Sequence, residues 1–313
     1  MTEIPSTMSA VVATPGRPQR TTRRDDVPVP TPADDEALIA VEAFALNRGE
    51  LTLLRTRHAG WIPGQDVAGT VVRAAAGGSG PAEGTKVVGL AEWHGWAQYV
   101  NVPAHRLAVR PDAVSAAHAA ALPMAGTTAL GVLEAYDAPL LGRRVLVTGA
   151  AGGVGRFAVQ LAAIGGARVT AVSRRTDGLR ELGAHDVREA LADAPADGNL
   201  HDLVLESVGG TALTHALAHA AHGGTVVSFG ASSGEPAPYT FFALGGREVN
   251  LRAYFSGRHE RRAGERLAFL VDLTAQGRLD PGVGHVADWS EVNAMLDALE
   301  RRAVAGKAVL TVG

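Results

Sequence analysis

The run Val145-Leu146-Val147-Thr148-Gly149-Ala150-Ala151-Gly152-Gly153-Val154-Gly155 constrains this chain more than any other segment. An apolar strand runs into a turn of glycine and alanine. The apolar positions that follow, Val159, Leu161 and Ile164, continue as a helix. Gly152 lets the backbone approach a pyrophosphate, and Gly155 lets the helix lie closely on its strand. The helix N-terminus offers free N–H groups and a partial positive charge to the phosphates. Ala150 stands where the fingerprint's first glycine is expected, which a tight turn tolerates. A strand precedes the turn, a helix follows it, and a second strand arrives on schedule. Ala151, Gly152, Gly153 and Val154 are therefore read as the cradle of a dinucleotide pyrophosphate. The alternative is a glycine-rich turn with no ligand.

The end of the second strand bears on which dinucleotide. An Asp or Glu there would bind the ribose hydroxyls of NAD. This sequence has Ser173-Arg174-Arg175 instead. With no carboxylate to repel it, a 2′-phosphate takes charge-assisted bonds from a guanidinium and the Ser173 hydroxyl, so NADPH is expected over NADH. The competing view is a surface arginine paired with Asp177.

Short β-like runs fill the first hundred residues: 9–13, 36–45, 66–74, 86–90, 96–102 and 106–109, separated by turn-forming Pro, Gly and Asp. Residues 115–136 read as helical, with Pro123 and Gly126 as breaks. From Arg144 strands (144–148, 168–172, 202–206, 225–229, 250–254) alternate with helices (154–164, 177–182, 211–220, 260–276). That alternation argues a parallel sheet covered on both faces. A last helix (290–301) and strand (308–312) could return to the first domain. The expected division is residues 8–120, 121–265 and 266–313, the last belonging with the first.

Composition removes several classes of function. The formal net charge of −3 gives no electrostatic reason for nucleic acid or an anionic membrane as partner, and the positive clusters Arg20–Arg24 and His259–Arg262 read as solvated surface. The chain has no cysteine, so disulfides, thiolate catalysis and cysteine zinc sites are excluded. No apolar run is long enough for a spanning helix. Met1–Thr7 reads as a polar leader with no secretory signal, and a cytoplasmic protein is the expectation.

Several segments together resemble the zinc-independent quinone oxidoreductases among the medium-chain dehydrogenases/reductases. Phe44-Ala45-Leu46-Asn47-Arg48-Gly49-Glu50 is similar to the family's N-x-x-D region, and Ile62-Pro63-Gly64-Gln65-Asp66-Val67-Ala68-Gly69 to its PG-x-D/E-x-AG segment. Ala121-Leu122-Pro123-Met124-Ala125-Gly126-Thr127-Thr128-Ala129 resembles its LP-x-AGLTA helix. The Ala-Ala-Gly-Gly-Val-Gly turn and the closing Gly306-Lys307-Ala308-Val309-Leu310 complete the set. The resemblance implies an α/β fold: a GroES-like β domain for substrate, then a Rossmann domain with a doubly wound parallel sheet, the active site in the cleft between them. Zinc-dependent alcohol dehydrogenases share that architecture but need a Cys and a Gly-His-Glu segment. Here the segment reads Gly64-Gln65-Asp66, and His215 and His219 have helix-face spacing without a carboxylate partner, so no metal is expected.

The implied chemistry is hydride transfer from NADPH to an acceptor already activated by conjugation, a quinone or an enone or enoyl group. By resemblance Asn47 lies near the nicotinamide ribose or the substrate oxygen, where its amide would donate to a developing oxyanion. Asn47-Arg48-Gly49-Glu50 is also a capping box, and the two roles are compatible. Thr127 is expected to contact the cofactor or simply to pack its helix. Gly230, Ala231 and Ser232 are expected to approach the nicotinamide by backbone. Lys307 is expected to approach the cofactor. Phe241 or Phe242 lines the pocket or packs in the core. No tyrosine follows Asn47 closely, which leaves His58 or water as proton donor. Trp61, Trp93, His94 and Trp96 suggest flat walls for an aromatic or polycyclic small-molecule substrate. The same scaffold could serve a redox-neutral, cyclase-like step or act as a binding protein. Residues 250–255 have the apolar edge of a strand through which relatives form homodimers.

Overall fold

The computed structural model describes residues 3–17, 20–191, 200–258 and 260–313. Met1, Thr2 and His259, parts of the expected leader and of one positive cluster, lie outside the described residues. The chain forms two compact units, residues 1–127 with 259–313, and residues 128–258, where boundaries near 120 and 265 were expected.

The first unit begins with β1 (Thr7–Ala13), β2 (Thr21–Pro28), β3 (Glu36–Ala45), α1 (Arg48–Thr56) and β4 (Asp66–Arg73). It continues with β5 (Lys86–Leu90), β6 (Tyr99–Pro103), β7 (Leu107–Val109), α2 (Ala116–Ala120) and the start of α3 (Pro123–Glu134). The second unit holds β8 (Arg144–Thr148), α4 (Gly153–Ile164), β9 (Arg168–Val172), β10 (Asp186–Arg188) and β11 (His201–Glu206). It is completed by α5 (Thr211–Ala218), β12 (Ala220–Ser228), α6 (Phe241–Gly245) and β13 (Asn250–Ala253). The chain then returns to the first unit as α7 (Ala263–Ala275), β14 (Val283–Asp288), α8 (Val292–Glu300) and β15 (Lys307–Thr311).

In the first unit the described strands form a sheet of order β14-β15-β3-β4-β5-β7, with β6 also pairing β3, beside the antiparallel pair β1–β2. The last strand does come back: β15 runs antiparallel to β3, with Val309 opposite Ala45. This pairing carries Lys307 to the foot of α1. Behind the sheet lies a core that includes Phe44, Trp61, Trp96, Leu54, Leu296 and Leu310. Phe44 and Trp96 stack at 5.6 Å. Burial of each such side chain stabilises the fold by roughly 1.5–3 kcal/mol before entropy is counted.

The second unit is a parallel sheet of order β10-β9-β8-β11-β12-β13. The chain goes one way from β8 through β9 to β10, then crosses to β11 and runs the other way. The order therefore reverses between β8 and β11, and ligands of such sheets bind at the carboxyl ends of the strands flanking that reversal. β8 is apolar and buried along Val145, Leu146 and Val147, as a strand covered on both faces must be.

Several local expectations fail for identifiable reasons. Residues 177–182 form turns, not a helix, between Gly178 and Gly183, both at positive φ. Gly126 is not a break but lies inside α3, where an added Cβ would meet Leu270 at 2.7 Å. β2, β10 and β14 were not foreseen, because each is short or exposed and lacks apolar alternation. None of the helices among the described residues is long and apolar enough to cross a membrane.

Candidate functional site

In the first unit the residues named from sequence converge on a buried polar cluster. Asn47 immediately precedes α1 as its N-cap, and its backbone N–H donates to Glu50 Oε2 at 2.7 Å. The expected capping box between Asn47 and Glu50 is present. The Asn47 side chain also reaches across: Nδ2 donates to Asp66 Oδ2 at 3.0 Å, and Oδ1 accepts from Lys307 Nζ at 2.6 Å. Lys307 Nζ also donates to Asp66 Oδ2 at 2.9 Å and to the Leu46 carbonyl at 3.1 Å. Asp66 begins β4, and its other oxygen accepts the Met124 N–H at 2.8 Å, so one carboxylate holds both Asn47 and the first turn of α3.

Asp66 is wholly buried and Lys307 is 3% exposed, so neither charge could be tolerated alone. All three ammonium protons of Lys307 are spent on protein acceptors. The expected approach of Lys307 to the cofactor is therefore corrected: it underpins Asn47. Glu50 is buried beside this cluster, and Oε1 lacks a hydrogen-bond partner. Burial pushes its carboxyl up to about 8, against the opposing effect of the Asn47 N–H. Thr127 is buried too, and its hydroxyl donates to the Pro123 carbonyl at 2.6 Å, leaving only acceptor capacity.

The other residues named from sequence lie outside this cluster. Trp96 is fully buried and Trp61 7% exposed, both members of the core, so they are not flat walls of a pocket. Trp93 packs against Trp61 at 5.3 Å. His58 is exposed, with Nδ1 3.0 Å from the carbonyl of Ala59. Phe241 and Phe242 are 77% and 81% exposed within their unit and belong to no core there.

In the second unit, α4 starts at the carboxyl end of β8. Gly152 is its N-cap and supplies no side chain, and the first helical bond into the turn is from Arg156 N–H to the Gly152 carbonyl. The N–H groups of Gly153, Val154 and Gly155 thus open the helix uncapped. A Cβ on Gly155 would lie 2.3 Å from the Gly149 oxygen and 2.7 Å from the Ala150 Cα, so only glycine lets the helix sit this close to the turn. Gly149 itself has φ +61°. Ala151 is buried, while Gly152 is exposed.

After β9, the Ser173 hydroxyl accepts the Arg175 N–H at 3.3 Å. Arg174 and Arg175 are exposed. Past β12, Gly230 and Ala231 are exposed, and Ser232 N–H donates to the Ser207 carbonyl at 3.2 Å, tying this loop to the one after β11.

One group at this end of the sheet escaped the sequence reading. Glu206 closes β11 fully buried and accepts from Thr148 Oγ1 at 3.1 Å, Val208 N–H at 2.7 Å and Gly209 N–H at 3.1 Å. Thr148 ends β8, so the pair bridges the two strands between which the sheet order reverses. Burial raises the Glu206 carboxyl above its ordinary value despite these donors. A carboxylate ending an apolar strand before Ser-Val-Gly-Gly was the available signal.

Comparison with known proteins agrees with this geometry. Residues 153–272 match the family described as zinc-binding dehydrogenase, and residues 33–112 the alcohol dehydrogenase GroES-like domain. The chain is 31% identical over 276 residues to the chloroplast envelope quinone oxidoreductase homolog of Arabidopsis thaliana, covering 81% of this chain and 82% of that protein. It is 36% identical over 207 residues to the chloroplastic quinone-oxidoreductase homolog of Spinacia oleracea, covering 59% of this chain and 63% of the relative's length. The yhdH oxidoreductase of Salmonella enterica, solved in complex with NADP, superposes with a TM-score of 0.81 at 25% identity over 98% of this chain and 100% of that one.

The matched description names zinc. The donor set here does not fit that ion: the chain lacks cysteine, and among the described residues no three His, Asp or Glu side chains gather to hold a metal. The fold also implies a pyridine nucleotide, and for that group the residues do fit. The uncapped first turn of α4, held against the glycine turn at the reversal of strand order, is an anion site of the right kind. Sheet order, glycine turn and relatives of matching length agree: this chain is a medium-chain dehydrogenase/reductase of the quinone oxidoreductase-like kind, a family of oxidoreductases.

Proposed function

We propose that this protein reduces a conjugated carbonyl acceptor, a quinone or an enone or enoyl compound, with NADPH as the reductant. The observation that carries the reading is the Ser173-Arg174-Arg175 segment after β9, its two arginines exposed and no carboxylate at the strand end, in the same unit as a helix that opens uncapped. The N–H groups of Gly153 and Val154 would hold the pyrophosphate. Ser173, Arg174 and Arg175 would hold a 2′-phosphate that NADH lacks. The backbone at Gly230, Ala231 and Ser232 would meet the carboxamide end.

When bound, the dihydronicotinamide supplies the hydride. Asn47 would donate a hydrogen bond to the acceptor oxygen as negative charge develops there, and Thr127 would accept one from the bound nucleotide. The names of the plant relatives support a quinone as acceptor. The test is turnover: purified protein with NADPH and a panel of quinones, enones and enoyl thioesters, followed by loss of the reduced-nicotinamide absorbance. Oxidation that depends on both acceptor and protein supports the reading; none across the panel removes it.

The working unit is proposed to be a homodimer. β13 is a sheet edge, and Phe255 beyond it is 70% exposed. Sedimentation at micromolar concentration tests this, and a monomer there contradicts it.

A further inference from the structure

Three side chains close a ring at the start of α1. Lys307 Nζ donates to Asn47 Oδ1 at 2.6 Å and to Asp66 Oδ2 at 2.9 Å, while Asn47 Nδ2 donates to that same Asp66 oxygen at 3.0 Å. The ring admits one orientation of the Asn47 amide. Turned over, its NH₂ would face an ammonium and its oxygen a carboxylate, two repulsive contacts in a buried setting. The identity of the two amide ends is therefore settled by chemistry. The ring uses one N–H and one side of the oxygen. A second N–H remains on an amide that is only half-buried, above two partners that are buried. An ammonium on Oδ1 draws electron density from the amide and strengthens that N–H as a donor, while leaving the oxygen a depleted acceptor.

We propose that Asp66 and Lys307 are positioning residues that hold Asn47 in a single polarity, as a hydrogen-bond donor, so that the ligand atom it takes is an acceptor oxygen. That the oxygen belongs to a conjugated carbonyl rests on the reductase reading; the fixed polarity of the amide does not. Asp66 extends the device through the Met124 N–H, which registers the first turn of α3 against the same carboxylate. The ion pair thus costs two buried charges, and each of them faces the opposite end of the amide. Its partners lie far apart in the chain, Asp66 and Lys307 being separated by 241 positions, and β15 returning beside β3 is what brings them together.

The test has two readouts. The chain has five asparagines, so ¹⁵N-asparagine labelling gives five side-chain amide pairs, with that of Asn47 assigned by its loss in Asn47→Ala. In the ligand-free wild-type protein one Asn47 amide proton should exchange slowly and the other rapidly. The charge-neutral variant Asp66→Asn/Lys307→Met has a sixth pair from its new asparagine, so its Asn47 pair is assigned by loss on adding Asn47→Ala; there the slow Asn47 proton should join the exposed amides. Fast exchange of both protons in the wild type overturns the proposal without reference to any variant.

The second readout is kinetic. Asn47→Ala should lower kcat by roughly 100- to 1,000-fold, the scale of one lost oxyanion donor. Asp66→Asn/Lys307→Met should lower it comparably, with KM and NADPH affinity held within about threefold. Adding Asn47→Ala to the double variant should then cost no more than about twofold further, because all three residues act through one amide. Losses that multiply in the triple variant would show that Asp66 and Lys307 act independently of Asn47, and the proposal would be wrong. Absence of turnover in the wild type would remove the reductase reading, while the exchange experiment would still decide the amide's polarity.

Discussion

Lys307 and Asp66 form an ion pair of 2.9 Å with both side chains essentially sealed from water, at 3% and 0% side-chain exposure. A buried pair of this kind is asymmetric in its energetics: losing one partner costs far more than losing both. Lys307→Met should destabilise the fold by about 3–5 kcal/mol because it strands the Asp66 carboxylate. Asp66→Asn/Lys307→Met should come within about 2 kcal/mol of the wild type. Urea unfolding of both variants checks this, and a single variant as stable as the double would show that the pair is not dry.

The glycine turn allows fold and ligand binding to be separated. A methyl group on Gly155 would sit 2.3 Å from the Gly149 oxygen, whereas one on Gly152 would meet only that oxygen, at 3.1 Å. Gly155→Ala should cost about 1–3 kcal/mol of stability, as overpacking does. Gly152→Ala should leave the melting temperature nearly unchanged and weaken nucleotide binding by at least about tenfold, since the methyl lies where a pyrophosphate would approach. Thermal melts and nucleotide titrations on the two variants give the contrast directly.

His201 sets an acid limit on stability. It is buried, with Nε2 3.1 Å from Thr170 Oγ1. Burial pushes its imidazole down from 6.5 to about 4, and His219 beside it is also held low by burial. The unfolded chain therefore binds a proton at His201 that the folded chain refuses. Stability present above pH 6.5 should fall as the pH drops toward 4, by roughly 3 kcal/mol from His201 alone. Urea unfolding across that range tests it, and His201→Gln should flatten the slope by about one proton.

The glycine turn was legible because glycine's identity is itself the signal: nothing else fits at Gly155. The strands of the parallel sheet were legible from their unbroken apolar runs. β2 was not, because Arg23, Arg24, Asp25 and Asp26 pair with one another along an exposed strand and hide its alternation. The polar cluster was half legible. Asn47 and Lys307 were singled out, but Asp66 acquires its role only from a partner 241 positions away, and no local pattern encodes that meeting. Thr148 and Glu206 are a second case, joined only because β8 and β11 become neighbours. Trp61 and Trp96 misled because residue type does not reveal whether a loop side chain turns into the core; here both do.

The most direct test of the central claim is a fluorescence titration with NADPH and with NADH, on the wild type and on Arg174→Ala/Arg175→Ala. NADPH should bind at least about tenfold more tightly, a difference of about 1.4 kcal/mol, and the double variant should lose that preference while still binding NADH. Equal affinity for the two nucleotides, or a preference that survives loss of both arginines, would contradict the account.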